Sequence, residues 1–529
     1  MNDVLLREVR PVPLGGQVPD SRGAVQGSRP LDILIRDRQI TAVGAGLARP
    51  AGVAELHGLG RWALPGLWDQ HVHVVQWSLV RSRLDLSAAT SVASAVGLVR
   101  AGLAADPHGD GPLVGYGHRS ATWARQPTAE DLDEVSPQRP VVLISGDAHH
   151  GWLNSAGQRL LGVPARQEVV WENEWFDAYD RLGDLPGAAE QAEAAVLEAV
   201  REARGRGVVG LVDLEFSPSW DLWPGRLAAL GPFRVRTSAY AGRLPDIIER
   251  GWRTGTDLPG TDGWAQMGPL KLISDGSLNT RTAWCCEPYA GSADLAEPRG
   301  AANFTEAELT ELVATAHAHG LETALHAIGD RAVSQALEVF ARTGAAGSIE
   351  HVQLVPRDGL ELWAGLPVRA SVQPAHLLDD RTVTERVWPD RTERAFAFGA
   401  LREHGIPLVL GSDAPVAPLD PWLSMAAAVF RAPEGGDPWH PELSLTPREA
   451  LAASVDGRRL AVGEPGDVVL LDDDPLAGGD HRPGSTGGLP TRGREREDGA
   501  TADPSDQARV LRTMGVSATV IGGHLVHGG

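Results

Sequence analysis

Lysine is almost missing from this chain. Of its 529 residues, 48 are Lys or Arg, yet Lys271 is the only lysine. Cysteine is nearly as scarce. Cys285 and Cys286 are the only two and are adjacent; neighbours in sequence bridge only with strain, which excludes a disulfide framework. That usage points to a reducing cytoplasm. No apolar run approaches the roughly 20 residues that span a bilayer. The stretch Met1 to Arg7 lacks the charged-then-apolar shape of a signal peptide. Basic charge is in deficit: 48 basic against 69 acidic residues give a net charge of −21, which argues against nucleic acid and anionic membrane as partners. The expected partner is a small-molecule substrate. The oligomeric state stays open, a homodimer included. Tyrosine and phenylalanine are few beside 16 tryptophans. Trp123, Trp152, Trp171 and Trp175 cluster in the first half and are read as core rather than as a ligand wall.

A general preference for Arg accounts for the missing lysines wherever a generic cation suffices. The lysine that is kept points to chemistry Arg cannot supply. A guanidinium stays protonated, whereas a lysine amine can be desolvated, deprotonated and turned into a nucleophile or a carbamate. The surrounding Gly268–Ser277 reads as a short buried strand running into a loop, where an unpaired cation is expensive.

The two chain ends are β-like. Leu31–Ile35 and Gln39–Val43 flank the polar turn Arg36-Asp37-Arg38, and Asp467–Leu471 and Ser517–Ile521 mirror them at the other end. Pairing the ends gives a composite β-sandwich domain of residues 1–62 and 455–529. Within it, 478–506 is Gly, Pro, Ser and charge and is expected to be a disordered loop. The middle alternates. Thr305-Glu306-Ala307-Glu308 is a capping box opening a helix that stops at Gly320. Strands are expected at Glu322–His326, Ser348–Val352, Val368–Gln373 and Leu408–Leu410. Helices are expected at Asp330–Arg342, Asp358–Trp363 and Thr392–His404. Upstream strands at Val208–Asp213, Arg234–Tyr240, Leu270–Ser274 and near Leu67–Val74 bring the count to eight. Strand-helix alternation implies a parallel sheet, and eight strands a closed (β/α)8 barrel over 63–454. Residues from about 85 to 205 exceed a normal connection. They read as an insertion after the first strand, with a helix at Ala188–Arg204.

The candidate chemistry lies at strand ends. His71-Val72-His73 by itself is weak, since about one such spacing arises by chance in two chains of this length and histidine content. On a strand, residues two apart share a face and can chelate one ion. His317-Ala318-His319 has the same spacing late in a helix, where the two rings diverge toward solvent. Barrel enzymes place their chemistry at the C-terminal strand ends. There the chain sets His71 and His73 (first strand), Lys271 (fourth), His326 (fifth), His351 (sixth) and Asp413 (eighth).

As a set these positions resemble the amidohydrolase superfamily, specifically amidohydrolase family 3. The matching stretches are Leu64–His73, Asp147–Ser155, Lys271–Leu278, His326–Ala332, Ile349–His351, Ser371–Pro374 and Gly411–Asp413, in order along nearly the whole chain. The resemblance implies a metal-dependent hydrolase on a TIM-like barrel, with a β-sandwich built from both ends and an insertion after the first strand.

Charge supports a two-metal site. Two divalent cations among four neutral imidazoles and Asp413 repel a cationic lysine and favour its neutral amine, which captures carbon dioxide as an anionic carbamate. With a bridging hydroxide, the net charge falls to about +1. His71, His73 and Asp413 are expected to hold one metal and His326 and His351 the other, with carbamylated Lys271 bridging them. The alternative is one metal with Lys271 as a structural amine. Zinc is the first choice, and iron or manganese suit the same donors. Asp413 is expected to take the proton of an activated water and pass it to the leaving nitrogen. Candidate substrate-binding residues are His149, Asn154, Asp275, Arg281, Gln373 and His376, the last two at the end of the seventh strand. Asp330 is read as a helix cap and Glu172 as a surface carboxylate. The expected reaction is hydrolysis of a non-peptide carbon–nitrogen bond, foremost a linear N-acyl or N-formyl amide. Deamination or cyclic-amide opening at the same site is the alternative, and an inactive scaffold the remaining one.

Overall fold

Eight short segments spaced through the sequence form one parallel barrel sheet. They are Leu67–Val72, Val208–Asp213, Arg234–Tyr240, Ala265–Ile273, Thr323–Ala327, Gly347–His351, Val368–Val372 and Leu408–Leu410, hydrogen-bonded in sequence order. Every residue of the first, second, fifth and sixth strands is buried, as strands covered on both faces require. The last strand meets the first through the Asp413 N–H, which donates to the His71 carbonyl at 2.7 Å. The approach is close. A Cβ on Gly411 would sit 2.8 Å from both the backbone nitrogen and Cβ of His71, so only glycine fits there. The computed structural model describes residues 3–14, 29–80, 83–107, 109, 111–120, 123–146, 148–185, 187–293, 295–477, 479 and 504–528. Most of the loop expected at 478–506 lies outside them, and Pro504–Arg512 is a helix.

The capping box at Thr305 forms as expected and opens a helix over Glu306–Ala318. Asp330–Thr343 is the helix after the fifth strand and ends at Gly344 in the left-handed conformation, a common helix stop. The helix expected over Thr392–His404 is broken. A 3-10 turn at Thr392–Arg394 and a helix at Phe398–Glu403 flank Phe396, whose φ is +51°. Tertiary bonds account for the break: Phe396 N–H donates to Gln353 O at 2.8 Å, and Arg431 Nη1 donates to Phe396 O at 2.5 Å. The seventh strand ends at Val372, so His376 does not end it but opens a helix, His376–Val387.

The chain ends share one sheet. Trp62–Pro65 pairs parallel with Val4–Pro11 on one side and antiparallel with Val468–Leu471 on the other. Val516–Ile521 and His524–Gly528 extend it at one edge, and Leu31–Arg36 and Gln39–Gly44 at the other. Ile33, Ile35 and Ile40 from one end and Val468, Leu470 and Val520 from the other sit in a single apolar core. Burying such side chains contributes about 1.5–3 kcal/mol each.

The chain divides into two compact units, Met1–His73 with Val200–Asp413 and Ala417–Gly529, and Val74–Ala199 with Ala414–Val416. Within the second unit, Trp123, Trp152 and Trp175 are buried core residues, whereas Trp171 is half-exposed. Among the described residues, no helix is long and apolar enough to cross a membrane.

Candidate metal centre

The barrel strand ends bring His71, His351 and Asp413 together. One donor atom of each lies within 4.8 Å of the others, and all three side chains are buried. His71 Nε2 and His73 Nε2 are each 3.4 Å from Asp413 Oδ1. Lys271 Nζ lies 3.5 Å from His71 Nε2. The His351 ring centroid is 4.9 Å from that of His71 and 4.5 Å from that of His326. The six residues proposed from strand position thus meet as one connected cluster. Asp413 and His351 both have left-handed backbones, with φ of +57° and +72°, and Val352 follows at +49°. Bulky residues adopt that region at a cost, and such strain gathers at functional sites.

The ring nitrogens are sorted into supports and donors. His71 Nδ1 is 2.7 Å from Glu350 Oε2, so Nδ1–H donates to the carboxylate and the Nε2 lone pair faces Asp413 and Lys271. His326 Nε2 is 3.2 Å from Gly276 O and 3.3 Å from Asp275 Oδ1, which leaves Nδ1 as the donor. Such outer partners fix the tautomer of a ligating histidine. His351 Nδ1 and His73 Nδ1 are buried without a hydrogen-bond partner. Buried imidazoles with unpaired ring nitrogens, together with His71 Nε2 and His73 Nε2 facing the Asp413 carboxylate, are the donor set a divalent cation takes. The residues present therefore fit a metal.

Electrostatics agree. Burial, then the charge of Lys271, lowers the His71 pKa to about 4, against the opposing pull of Asp413 and Glu350; the ring is neutral and ready to ligate at pH 7. Burial also holds His351 well below the ordinary value. Burial lowers Lys271, while Glu350 and Asp413 partly restore its charge. Burial would raise Glu350, but the His71 hydrogen bond overrides it and brings the carboxyl to about 2. Burial raises Asp69 to about 6, although its Oδ1 accepts from the Ser412 N–H at 2.9 Å and the His71 N–H at 3.1 Å.

The remaining candidates sort by their contacts. Asp275 is buried and accepts from the Ile328, Gly329 and Trp284 N–H groups at 2.9–3.0 Å, so it ties the fifth-strand loop together and steadies His326. Gln373 lies against His71, with Nε2 3.5 Å from Nδ1. His376 Nε2 is buried 3.6 Å from Asp413 Oδ2. Arg281 is half-buried on the loop after Lys271, with φ of +56°. Asp330 is not the cap expected of it: the helix N-cap is Gly329, without a side-chain cap bond, and the Asp330 carboxylate instead accepts from the Cys286 N–H at 2.8 Å and pairs with Arg394 at 3.0 Å. In the second unit, Asn154 is fully buried. It accepts from the Gly157 and Val141 N–H groups and donates to Ser136 and Arg139 carbonyls, which uses all four of its positions. His149 Nδ1 is 3.0 Å from Glu172 Oε2, so Glu172 is a paired carboxylate. Glu350 and Asp69, both next to a candidate ligand and both buried, are residues that strand-end reasoning passed over. Their signal was an acid inside a strand that ends in a candidate ligand.

A family model described as the amidohydrolase family matches residues 59–527. The chain belongs to the amidohydrolase family. Among curated relatives of this amidohydrolase, Protein LONG AFTER FAR-RED 3 of Arabidopsis thaliana is 28% identical, covering 76% of this chain and 74% of its own. N-substituted formamide deformylase of Arthrobacter pascens is 24% identical, covering 66% and 72%. Among solved structures, an uncharacterized metal-dependent hydrolase from Pyrococcus furiosus superposes with a TM-score of 0.71 at 24% identity, over 90% of this chain and all of that one, a likeness of fold. The amidohydrolase is thus a hydrolase acting on carbon–nitrogen bonds.

Proposed function

We propose that this amidohydrolase hydrolyses a linear amide, an N-acyl or N-formyl amine, at a centre of two divalent cations, zinc foremost. His71, His73 and Asp413 would hold one cation and His326 and His351 the other, and Lys271, carbamylated by carbon dioxide, would supply an anionic ligand to both. The observation that carries this reading is the sorting of the ring nitrogens: Glu350 and Gly276 take one nitrogen of His71 and His326, which turns the other toward the shared centre. The likeness to N-substituted formamide deformylase supports the linear-amide choice.

The bound cations would supply Lewis acidity and a water of lowered pKa. The chain's own groups do the rest. The four imidazoles, neutral when ligating, leave the cation charge available to a carbonyl oxygen. Asp413, whose carboxyl the surrounding histidines hold well below the ordinary range against burial, is anionic and takes the proton of the attacking water at a carboxylate oxygen. It returns that proton to the leaving nitrogen. His376, beside Asp413 Oδ2, and Gln373, beside His71, keep the carboxylate and ring in place.

The deciding experiment is turnover of the metal-loaded enzyme on a panel of N-acyl, N-formyl and cyclic amides, together with metal analysis. Carboxylate release from a linear amide supports the reading. Ammonia release without a new carboxylate overturns it in favour of deamination. Two metals and full activity in Lys271→Arg would remove the bridging role.

A further inference from the structure

The second barrel strand ends at Asp213, and the three residues after it form a pinned turn. Asp213 Oδ1 accepts from the Glu215 N–H at 3.1 Å, and Glu215 Oε1 accepts from the Phe216 N–H at 3.1 Å. Tyr240, from the end of the third strand, donates its hydroxyl to Leu214 O at 3.0 Å. The turn delivers Phe216 onto the candidate centre. Its ring stacks on His73 with centroids 5.3 Å apart and planes 23° apart, and packs on Tyr240 at 4.9 Å. Even so, Phe216 remains 48% exposed. Other large apolar side chains are exposed on this chain, among them Leu59, Val462 and Trp171. Among the described residues, Phe216 is the exposed one whose ring packs on a candidate metal ligand.

The chemistry bounds what such a ring is for. The six candidate ligands are imidazoles, a carboxylate and an amine, and these engage the reacting amide itself. They offer nothing to the groups that flank it. A fixed, half-exposed aromatic ring in contact with His73 offers apolar area and a π-face to whatever substituent lies beside a carbonyl held at that centre. We propose that Phe216 is a specificity-determining residue, and that the preferred substrates carry a planar apolar substituent directly on the carbon or nitrogen of the scissile bond. The inference deepens the amide-hydrolase reading and rests on its metal centre.

The test uses binding as well as turnover. Acetohydroxamate and benzohydroxamate present the same chelating group and differ by methyl against phenyl. Their dissociation constants are measured by calorimetry on the metal-loaded full chain, for wild type, Phe216→Ala and Phe216→Leu, with metal content and thermal melts as controls. The expected result is a preference for benzohydroxamate of about tenfold or more in wild type, the scale on which an apolar contact discriminates. Phe216→Ala brings the ratio to within about twofold and Phe216→Leu falls between, with metal content unchanged. A ratio that stays the same in Phe216→Ala, or no preference in wild type, overturns the proposal. If neither hydroxamate binds, the metal-centre reading falls and takes the proposal with it. Turnover of N-phenylacetamide and N-methylbenzamide against N-methylacetamide then tells whether the nitrogen or the carbonyl side faces the ring. Failure of all three amides counts against the amide reading alone, because the hydroxamate ratios have already decided the role of Phe216.

Discussion

His71 and His73 stand at the end of a barrel strand, and His317 and His319 at the end of a helix, with the same spacing and the same residue types. On the strand, both Nε2 atoms reach one oxygen of Asp413 at 3.4 Å. On the helix, both residues are exposed, and His319 Nδ1 turns back to its own Thr315 carbonyl at 2.9 Å. The difference lies in backbone period and in what meets the pair. A strand aims alternate residues at one point, while a helix turns them about 200° apart. The strand pair is met by residues from other strand ends, and the helix pair by water.

The sharpest way to break the comparison is to delete one ring from each pair. His71→Ala is expected to lose bound metal and at least about a thousandfold in kcat/KM, whereas His317→Ala changes neither, as elemental analysis and steady-state kinetics would reveal. Next in size is Lys271→Arg, which keeps a cation but cannot carry a carbamate. Loss of one metal and about a hundredfold in kcat/KM or more is expected. Glu350→Gln removes the anion behind His71 and is expected to weaken metal affinity by about 10–100-fold, measured by chelator competition; among the described residues no carboxylate pairs with His317 to yield such a variant.

Acid separates the pairs more gently. The folded pKa of His71 is lowered from 6.5 to about 4, so the unfolded chain binds that proton more tightly. Stability of the metal-free protein is full above pH 6.5 and falls as pH drops toward 4, by on the order of a few kcal/mol. Glu350, lowered from 4.5 to about 2, adds a further loss as pH falls below 4.5. Urea melts across pH 7 to 4 measure the slope, and a flat profile would sink the assignment. The smallest effect is His319→Ala, within about 0.5 kcal/mol on the same assay.

The sequence carried the barrel strands well because strand-like segments alternate with helical ones along it, and Val208–Asp213, Arg234–Tyr240 and Leu408–Leu410 fall where the pattern put them. It carried less where distant contacts override local preference. Phe396 leaves its expected helix because Gln353 and Arg431 bind its backbone. Glu350 was hidden for a different reason. Alternation sends neighbours on a strand to opposite faces, so Glu350 and His351 do not read as partners in one site. The left-handed backbone at His351 removes that alternation, and both side chains join the cluster around His71. Phe216 was hidden because a lone aromatic in a loop has no pattern at all. Its place is set by carboxylates that bind backbone N–H groups.

The meeting of the first and last barrel strands also has a consequence for the order of events in the cell. Asp69 and Ser412, joined by a hydrogen bond, stand 343 residues apart, and His71 and Asp413 lie just beyond them. A ribosome has made most of this polypeptide before the second half of the donor set exists. A nascent chain therefore has no complete cluster of His71, His351 and Asp413 to offer a cation, and capture must wait until the closing strand emerges. An ion bound at the proposed centre would then be a clasp fastened last, on a chain whose other barrel strands have already been made.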